Sequence, residues 1–251
     1  MKRILRSSLS SLIYYGAQCL GREEAGVRIL SYHRVNDQVK NYITVSVDEF
    51  KNQMRFLAKQ RYRMISLCDF VEGRAGPRSV VITFDDGYGD NYEQAFPILR
   101  GFGFTATIFC IAKAIGHEGY LTKENILEMH AAGFEFGSHT LSHPHLPQIS
   151  SVDKWQEIDG SKRLLEETLG FPVDFFCYPY GEWEPESVDL VAKAGFRGAC
   201  TNLPGANEKM DPFFLRRTEI GAPDTAGDFK KKMAGAFDWL HQGLHWVRGR
   251  P

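Results

Sequence analysis

The chain has 251 residues, and 30 Lys and Arg against 31 Asp and Glu leave a formal net charge of −1. That balance excludes a protein built to neutralise nucleic-acid phosphates. A composition of 43% hydrophobic and 24% charged residues excludes a disordered, collagenous or coiled-coil chain. The length allows one domain or two, and α/β barrels commonly run to about 250 residues as one. Cys19, Cys68, Cys110, Cys177 and Cys200 are dispersed and form no C-x-x-C, so neither a disulfide framework nor a cysteine zinc site is expected.

Taken in chain order, the N-terminus is basic (Lys2, Arg3, Arg6), but the serines that follow are too polar for the apolar region of a signal peptide. Leu5, Leu9, Leu12 and Ile13 fall on one helical face. That helix either packs on the domain or lies on a membrane surface. Strands are expected over 27–32, 63–67, 79–84, 104–111, 134–138, 173–177, 196–201 and 213–220. Helices are expected over 47–60, through Phe50, Met54 and Leu57, and over 92–100, with Pro97 kinking or delaying it. A helix over 122–132 has Thr122 as N-cap, with Asn125 where a capping box places Glu. Helices over 151–169 and 185–194 close at Gly170 and Gly195, and a last one covers most of 225–247. Strand–helix alternation predicts a parallel sheet. The absence of G-x-G-x-x-G after the first strand disfavours a dinucleotide fold, so the expected fold is α/β, a (β/α) barrel. The division is an N-terminal helical extension over 1–26, the barrel over 27–224 and a C-terminal helix over 225–251 packed on it.

In such a barrel chemistry sits at the C-terminal strand ends. There the sequence reads Ser31-Tyr32-His33-Arg34, Thr83-Phe84-Asp85-Asp86-Gly87, Ser138-His139-Thr140-Leu141-Ser142-His143, Cys177-Tyr178-Pro179-Tyr180-Gly181 and Leu215-Arg216-Arg217-Thr218. Asp85 and Asp86 repel each other unless a cation relieves them, although an Asp-Asp-Gly turn is the plainer alternative. His139 and His143, four apart, share one side if the segment is a helical turn. With a carboxylate they make a three-ligand open site suited to Zn²⁺, with Co²⁺ or Ni²⁺ also fitting and His145 as an alternative ligand. His33 is a candidate general acid. The Tyr180 turn amide is a candidate oxyanion donor. Asn91, Glu182 and Trp183 are candidate ligand contacts, Trp183 by stacking on a sugar.

These motifs resemble those of the polysaccharide deacetylases, carbohydrate esterase family 4, over about residues 27–220. The resemblance implies a distorted (β/α)7 barrel in a single domain that removes N-acetyl groups from GlcNAc-containing polymers. It makes Asp85 the catalytic base, Asp86, His139 and His143 the metal ligands, and the Tyr180 amide an oxyanion donor. Two departures stand out. Cys177 replaces the arginine that braces the base, so Arg216 or Arg217 is the expected substitute. The late Leu-x-His motif has no counterpart, since Leu244 and His245 are adjacent. The His33 segment instead resembles the permuted exopolysaccharide branch, which assigns the acid to His33 rather than His241 or His245. The expected partner is an acetylated glycan and not nucleic acid, with peripheral membrane contact through the terminal helices as an alternative role. A cytoplasmic or peripheral-membrane location is favoured over the periplasm or cell envelope. An amidohydrolase acting on a small acylated amine or cyclic amide, or an inactive glycan-binding module, are the competing functions.

Overall fold

The computed structural model describes residues 26–208 and 211–238. Its first strand, β1 (Arg28–Tyr32), is buried along its whole length and is followed by a two-stranded parallel pair, β2 (Arg34–Val35) and β3 (Thr44–Val45). Ser46 then caps α1 (Val47–Lys59), whose Phe50, Met54 and Leu57 are buried as their spacing demands. β4 (Arg63–Met64) is shorter than the expected 63–67 strand, because Ser66 and Asp69 form a reciprocal capping box that starts α2 (Leu67–Val71). β5 (Ser79–Phe84) follows. A single π-helical turn, Asn91–Ala95, then leads into α3 (Phe96–Gly101), with Pro97 near the start of α3, where its missing N–H costs nothing. β6 (Thr107–Cys110), α4 (Lys123–Ala131), β7 (Glu135–Ser138), α5 (Ser151–Leu169), β8 (Phe175–Cys177), α6 (Pro185–Lys193) and β9 (Gly198–Cys200) complete the alternation. Thr122 and Asn125 do form the capping box of α4.

The final segment carries β10 (Thr218–Glu219) and α7 (Ala226–Met233). The expected helix over 225–247 is interrupted after Met233, because Gly235 takes φ +68° and turns the chain so that Ala236 and Phe237 are buried, and Asp238 is helical again where the described residues stop. The expected N-terminal helix, the chain beyond Asp238, and with it His241 and His245, lie outside the described residues. Among the described residues no helix is long and apolar enough to cross a membrane.

The strands pair in the order β10-β1-β5-β6-β7-β8-β9, all parallel, with β4 beside the start of β5. Seven strands thus curl into a distorted (β/α)7 barrel. Residues 212–217 close it: the Ala199 N–H donates to the Pro212 carbonyl and Leu215 bridges to Cys200, three residues before β10 joins β1.

Strand alternation splits the core in two. Leu30, Tyr32, Val80, Ile82, Phe84, Ile108 and Phe176 face the helices. Ile29, Val81, Phe109, Phe175, Cys177 and Leu215 fill the ring. Gly137 belongs to the inner series, where a Cβ would stand 2.5 Å from the Phe109 ring. Counting onward by twos along each inner series reaches His33, Asp85, His139 and Arg217. The alternation that fills the barrel therefore also aims these side chains at its mouth.

Candidate active site and metal centre

Asp85 lies at the end of β5, 2% exposed. Arg217 grips it through two parallel hydrogen bonds, Nη1 to Oδ1 at 2.6 Å and Nη2 to Oδ2 at 2.8 Å. The same guanidinium donates to the Thr201 carbonyl at 2.9 Å, the Asn202 Oδ1 at 2.6 Å and the Cys177 Sγ at 3.1 Å. Burial alone would push the Asp85 carboxyl up. The charge and hydrogen bonds of Arg217, helped by His139 and His33, instead hold it well below the usual carboxylate range. Burial likewise works against the charge on Arg217, and Asp85 overrides it, holding the guanidinium protonated. The short Cys177 leaves room beneath Asp85 for a guanidinium arriving from the opposite edge of the ring, and burial pushes its thiol up. Of the two arginines expected as braces, only Arg217 reaches Asp85. Arg216 points the other way, to the Pro204 carbonyl at 3.2 Å, as adjacent residues in extended chain must.

Asp86, the next residue, adopts φ 71°, which swings its carboxylate over the rim. There Oδ1 stands 3.6 Å from His139 Nε2 and 3.6 Å from His143 Nε2, and the two Nε2 atoms are 3.1 Å apart. A point equidistant from these three atoms in their plane lies about 2.0 Å from each, the length of a zinc–nitrogen or zinc–carboxylate bond. His139 Nδ1 donates to the Cys177 carbonyl at 2.7 Å, so its Nε2 presents a lone pair to the same point. Burial, then the charge of His139, push the His143 imidazole down to about 4, which keeps it in the neutral form that binds metals. The donor set therefore fits a divalent cation.

The histidines do not meet across a helical turn. Thr140 and His143 both have positive φ (66° and 61°), and the loop is held by Glu157 of α5. Glu157 accepts the Leu141 and Ser142 N–H groups, both at 2.9 Å, and the Ser142 hydroxyl at 2.7 Å. Of six non-glycine residues with positive φ among the described residues, four (Asp86, Thr140, His143 and Tyr180) stand at this mouth, where backbone strain is held for geometry.

His33 Nε2 lies 3.9 Å from Asp85 Oδ2, and its Nδ1 is buried without a hydrogen-bond partner. Tyr180, at φ 59°, carries its amide in the tight turn after β8, while its ring stacks on His145 at 3.9 Å and meets the His143 ring edge-on at 4.5 Å. His145 is thereby excluded from the triad, and its Nδ1 pairs with Glu182 at 2.8 Å. Of the expected substrate contacts, Asn91 is buried and Trp183 is partly buried. Asn91 is 1% exposed and donates from Nδ2 to the His33 carbonyl at 2.8 Å. Trp183 meets the Phe214 ring edge-on at 4.5 Å and packs against the core. Sequence reasoning missed Asn202 and Glu157, which reach the site from loops and helices with no local motif.

A parallel barrel whose rim gathers an arginine-held carboxylate beside an Asp-His-His triad has the layout of a barrel hydrolase. The polysaccharide deacetylase family profile matches residues 72–199. YxkH of Bacillus subtilis, which carries a polysaccharide deacetylase name, is 34% identical over 209 residues, covering 81% of this chain and 74% of its own. The chain belongs to the polysaccharide deacetylase family and is a hydrolase of non-peptide carbon–nitrogen bonds. The poly-β-1,6-N-acetyl-D-glucosamine N-deacetylase of Staphylococcus aureus (strain MSSA476) is 27% identical over 208 residues, 70% of this chain and 71% of that one. Among solved structures, IcaB from Ammonifex degensii superposes with a TM-score of 0.75 at 25% identity, covering 85% of this chain and 98% of that one. The Streptococcus pyogenes deacetylase PplD shares the fold, with a TM-score of 0.77 at 24% identity over 84% of this chain and 99% of that one.

Proposed function

We propose that the protein is a zinc-dependent N-deacetylase of a GlcNAc-containing poly- or oligosaccharide. The observation that carries this is the pairing of His33 with Asp85 beside the Asp86–His139–His143 triad, an acid and a base flanking one ion site. The relatives named for poly-β-1,6-N-acetyl-D-glucosamine deacetylation and IcaB support an exopolysaccharide substrate. Zn²⁺ held by Asp86, His139 and His143 supplies Lewis acidity toward the acetamide carbonyl and the attacking water. Asp85, kept ionised by Arg217, accepts the proton of that water as it adds to the carbonyl carbon. The Tyr180 N–H steadies the oxygen on which charge develops. His33 delivers a proton to the sugar nitrogen as the carbon–nitrogen bond breaks, since an unprotonated amine leaves poorly. Acetate and a glucosamine residue result.

The test is acetate release from β-1,6-linked GlcNAc oligomers with added Zn²⁺. Asp85→Asn is expected to lower kcat by about two to four orders of magnitude while zinc content persists. His139→Ala should lose both. Wild-type activity in a folded Asp85→Asn protein, or the lack of stoichiometric divalent metal in the active enzyme, would overturn the reading. Should His33→Ala match wild type while His245→Ala is inactive, the acid belongs to the C-terminal segment instead.

A further inference from the structure

The π-helical turn Asn91–Ala95 begins six residues after Asp85. In it the Phe96 N–H donates to the Asn91 carbonyl, five residues back, so the turn is one residue wider than an α-helical one. Such single wide turns are frequent at functional sites. Asp90 and Asn91, at its head, are polar and yet only 3% and 1% exposed. Burying a carboxylate and a carboxamide costs free energy unless their partners are fixed. Apart from the contact between the two, the side-chain hydrogen bonds they make all go to one short segment, His33 to Asn36.

Asn91 Nδ2 donates to the His33 carbonyl at 2.8 Å and to Asp90 Oδ1 at 3.4 Å. Both neighbours are acceptors, which fixes the orientation of the amide, since the reverse would set oxygen against oxygen. Asn91 Oδ1 is buried without a partner, so the side chain serves through its donor end. Asp90 holds the residues that follow His33. Its Oδ2 accepts from Arg34 Nε at 2.7 Å and from Asn36 Nδ2 at 3.4 Å, and its Oδ1 accepts the Val35 N–H at 3.2 Å. The Arg34 guanidinium lies over the Tyr88 ring, 4.5 Å from its centre, and so returns to the loop that carries Asp90.

His33 needs such a hold. It stands between β1 and β2, one residue past the last pair of the β1–β5 ladder, Tyr32 with Phe84. Its Nδ1 is buried without a hydrogen-bond partner, so no bond on the far side of the ring sets its angle. The aim of the imidazole then depends on where its backbone is held, and Asn91 grips that backbone at His33 itself. Asp85 belongs to the same stretch of chain, and its N–H donates to the Tyr32 carbonyl at 2.9 Å. Residues 85–91 therefore hold the base and fasten the acid, with His33 Nε2 3.9 Å from Asp85 Oδ2. Proton delivery requires the leaving nitrogen within hydrogen-bond reach of the acid, so a small displacement of His33 is costly.

We propose that Asp90 and Asn91 are positioning residues for the reaction: they hold His33 by its backbone where it can protonate the departing sugar nitrogen. The inference rests on the deacetylase reading above. The test compares turnover of a β-1,6-linked GlcNAc oligomer by the zinc-loaded enzyme with turnover of 4-nitrophenyl acetate, whose phenolate leaves without a proton. Asn91→Leu, similar in volume but without a donor, should lower the ratio of amide to ester kcat about 10- to 100-fold, with KM for the oligomer unchanged. In a His33→Ala background the same substitution should lower amide turnover no further, because it acts through a side chain already removed. A ratio equal to wild type, or an equal loss with and without His33, overturns the proposal. Should Asn91→Leu fail to bind stoichiometric zinc, Asp90→Asn decides by the same ratio, since it keeps the volume and weakens the grip on Arg34 and Val35. Should wild type release no acetate from the oligomer, the deacetylase reading fails by itself. The His33 imidazole signal in NMR spectra, assigned by its loss in His33→Ala, then decides the hold: a displaced signal in Asn91→Leu supports it, and one coincident with wild type overturns it.

Discussion

Arg217 and Asp85 face each other out of reach of water, with side chains 1% and 2% exposed. Removing one member strands the other's charge, which costs about 3–5 kcal/mol in a buried pair. Arg217→Met is expected to lose that much stability at pH 7 in urea melts, and a loss below about 1 kcal/mol would mean that the pair is open in solution. The pH dependence has a definite sign. The folded Asp85 carboxyl is held below its ordinary value, so the contribution of the pair is complete above the unfolded pKa of about 3.9 and fades as pH falls below it. In the variant, burial acts unopposed and favours the protonated acid. The stability gap between wild type and Arg217→Met should therefore narrow on acidification, and a gap that widens would contradict the assignment. At this scale the sequence was legible in part. The Asp-Asp pair and the two histidines stand out by residue type. Arg216 and Arg217 were indistinguishable until Leu215 was known to face the ring, after which alternation selects Arg217. Asn202 carries no local signal, because only the closed ring brings it to the guanidinium.

At the scale of the element, the loop from His139 to His143 is placed by a helix it does not belong to. Glu157 projects from the second turn of α5 and fastens two amides and a hydroxyl of the loop. A four-residue spacing suggests a helical turn, and the bonds to Glu157 replace those a helix would have made internally. Glu157→Ala should lower metal affinity about 10- to 100-fold, as loss of an outer partner of a ligand commonly does. Competition with a chromophoric chelator reads this directly, and an unchanged affinity would show that the loop holds its shape unaided. Elements governed by local chemistry were read well. Thr122 with Asn125 and the αL residue Gly170 set the ends of α4 and α5 as the sequence suggested. Ser66 was passed over because β-branched and apolar neighbours read as a continuing strand, although Asp69 three residues later completes its cap.

At the scale of the whole molecule, alternation of strands and helices was enough to expect a barrel, but not how it closes. Closure depends on Asn207, whose Nδ2 donates to the Val27 and Arg216 carbonyls at 3.2 and 2.9 Å, joining the start of β1 to the last segment. That bond spans 180 residues, and no short-range pattern encodes it. The triad is a second long-range joint, since Asp86 follows β5 while His139 and His143 follow β7, with β6 between them. A cation bound there ties two strands that the unfolded chain leaves apart, so binding must stabilise the fold. With free Zn²⁺ at 100 times its Kd the gain is about 2.7 kcal/mol, or a Tm rise of about 5–10 °C for a chain of this size. Thermal melts of chelator-treated protein, with and without Zn²⁺, should show that rise. It should vanish in His139→Ala and persist in Asp85→Asn, because Asp85 is committed to Arg217 and lies outside the triad. A rise of equal size in His139→Ala would place the ion elsewhere on the molecule. Absence of any rise in the wild type would remove the metal from the structure's energetics altogether.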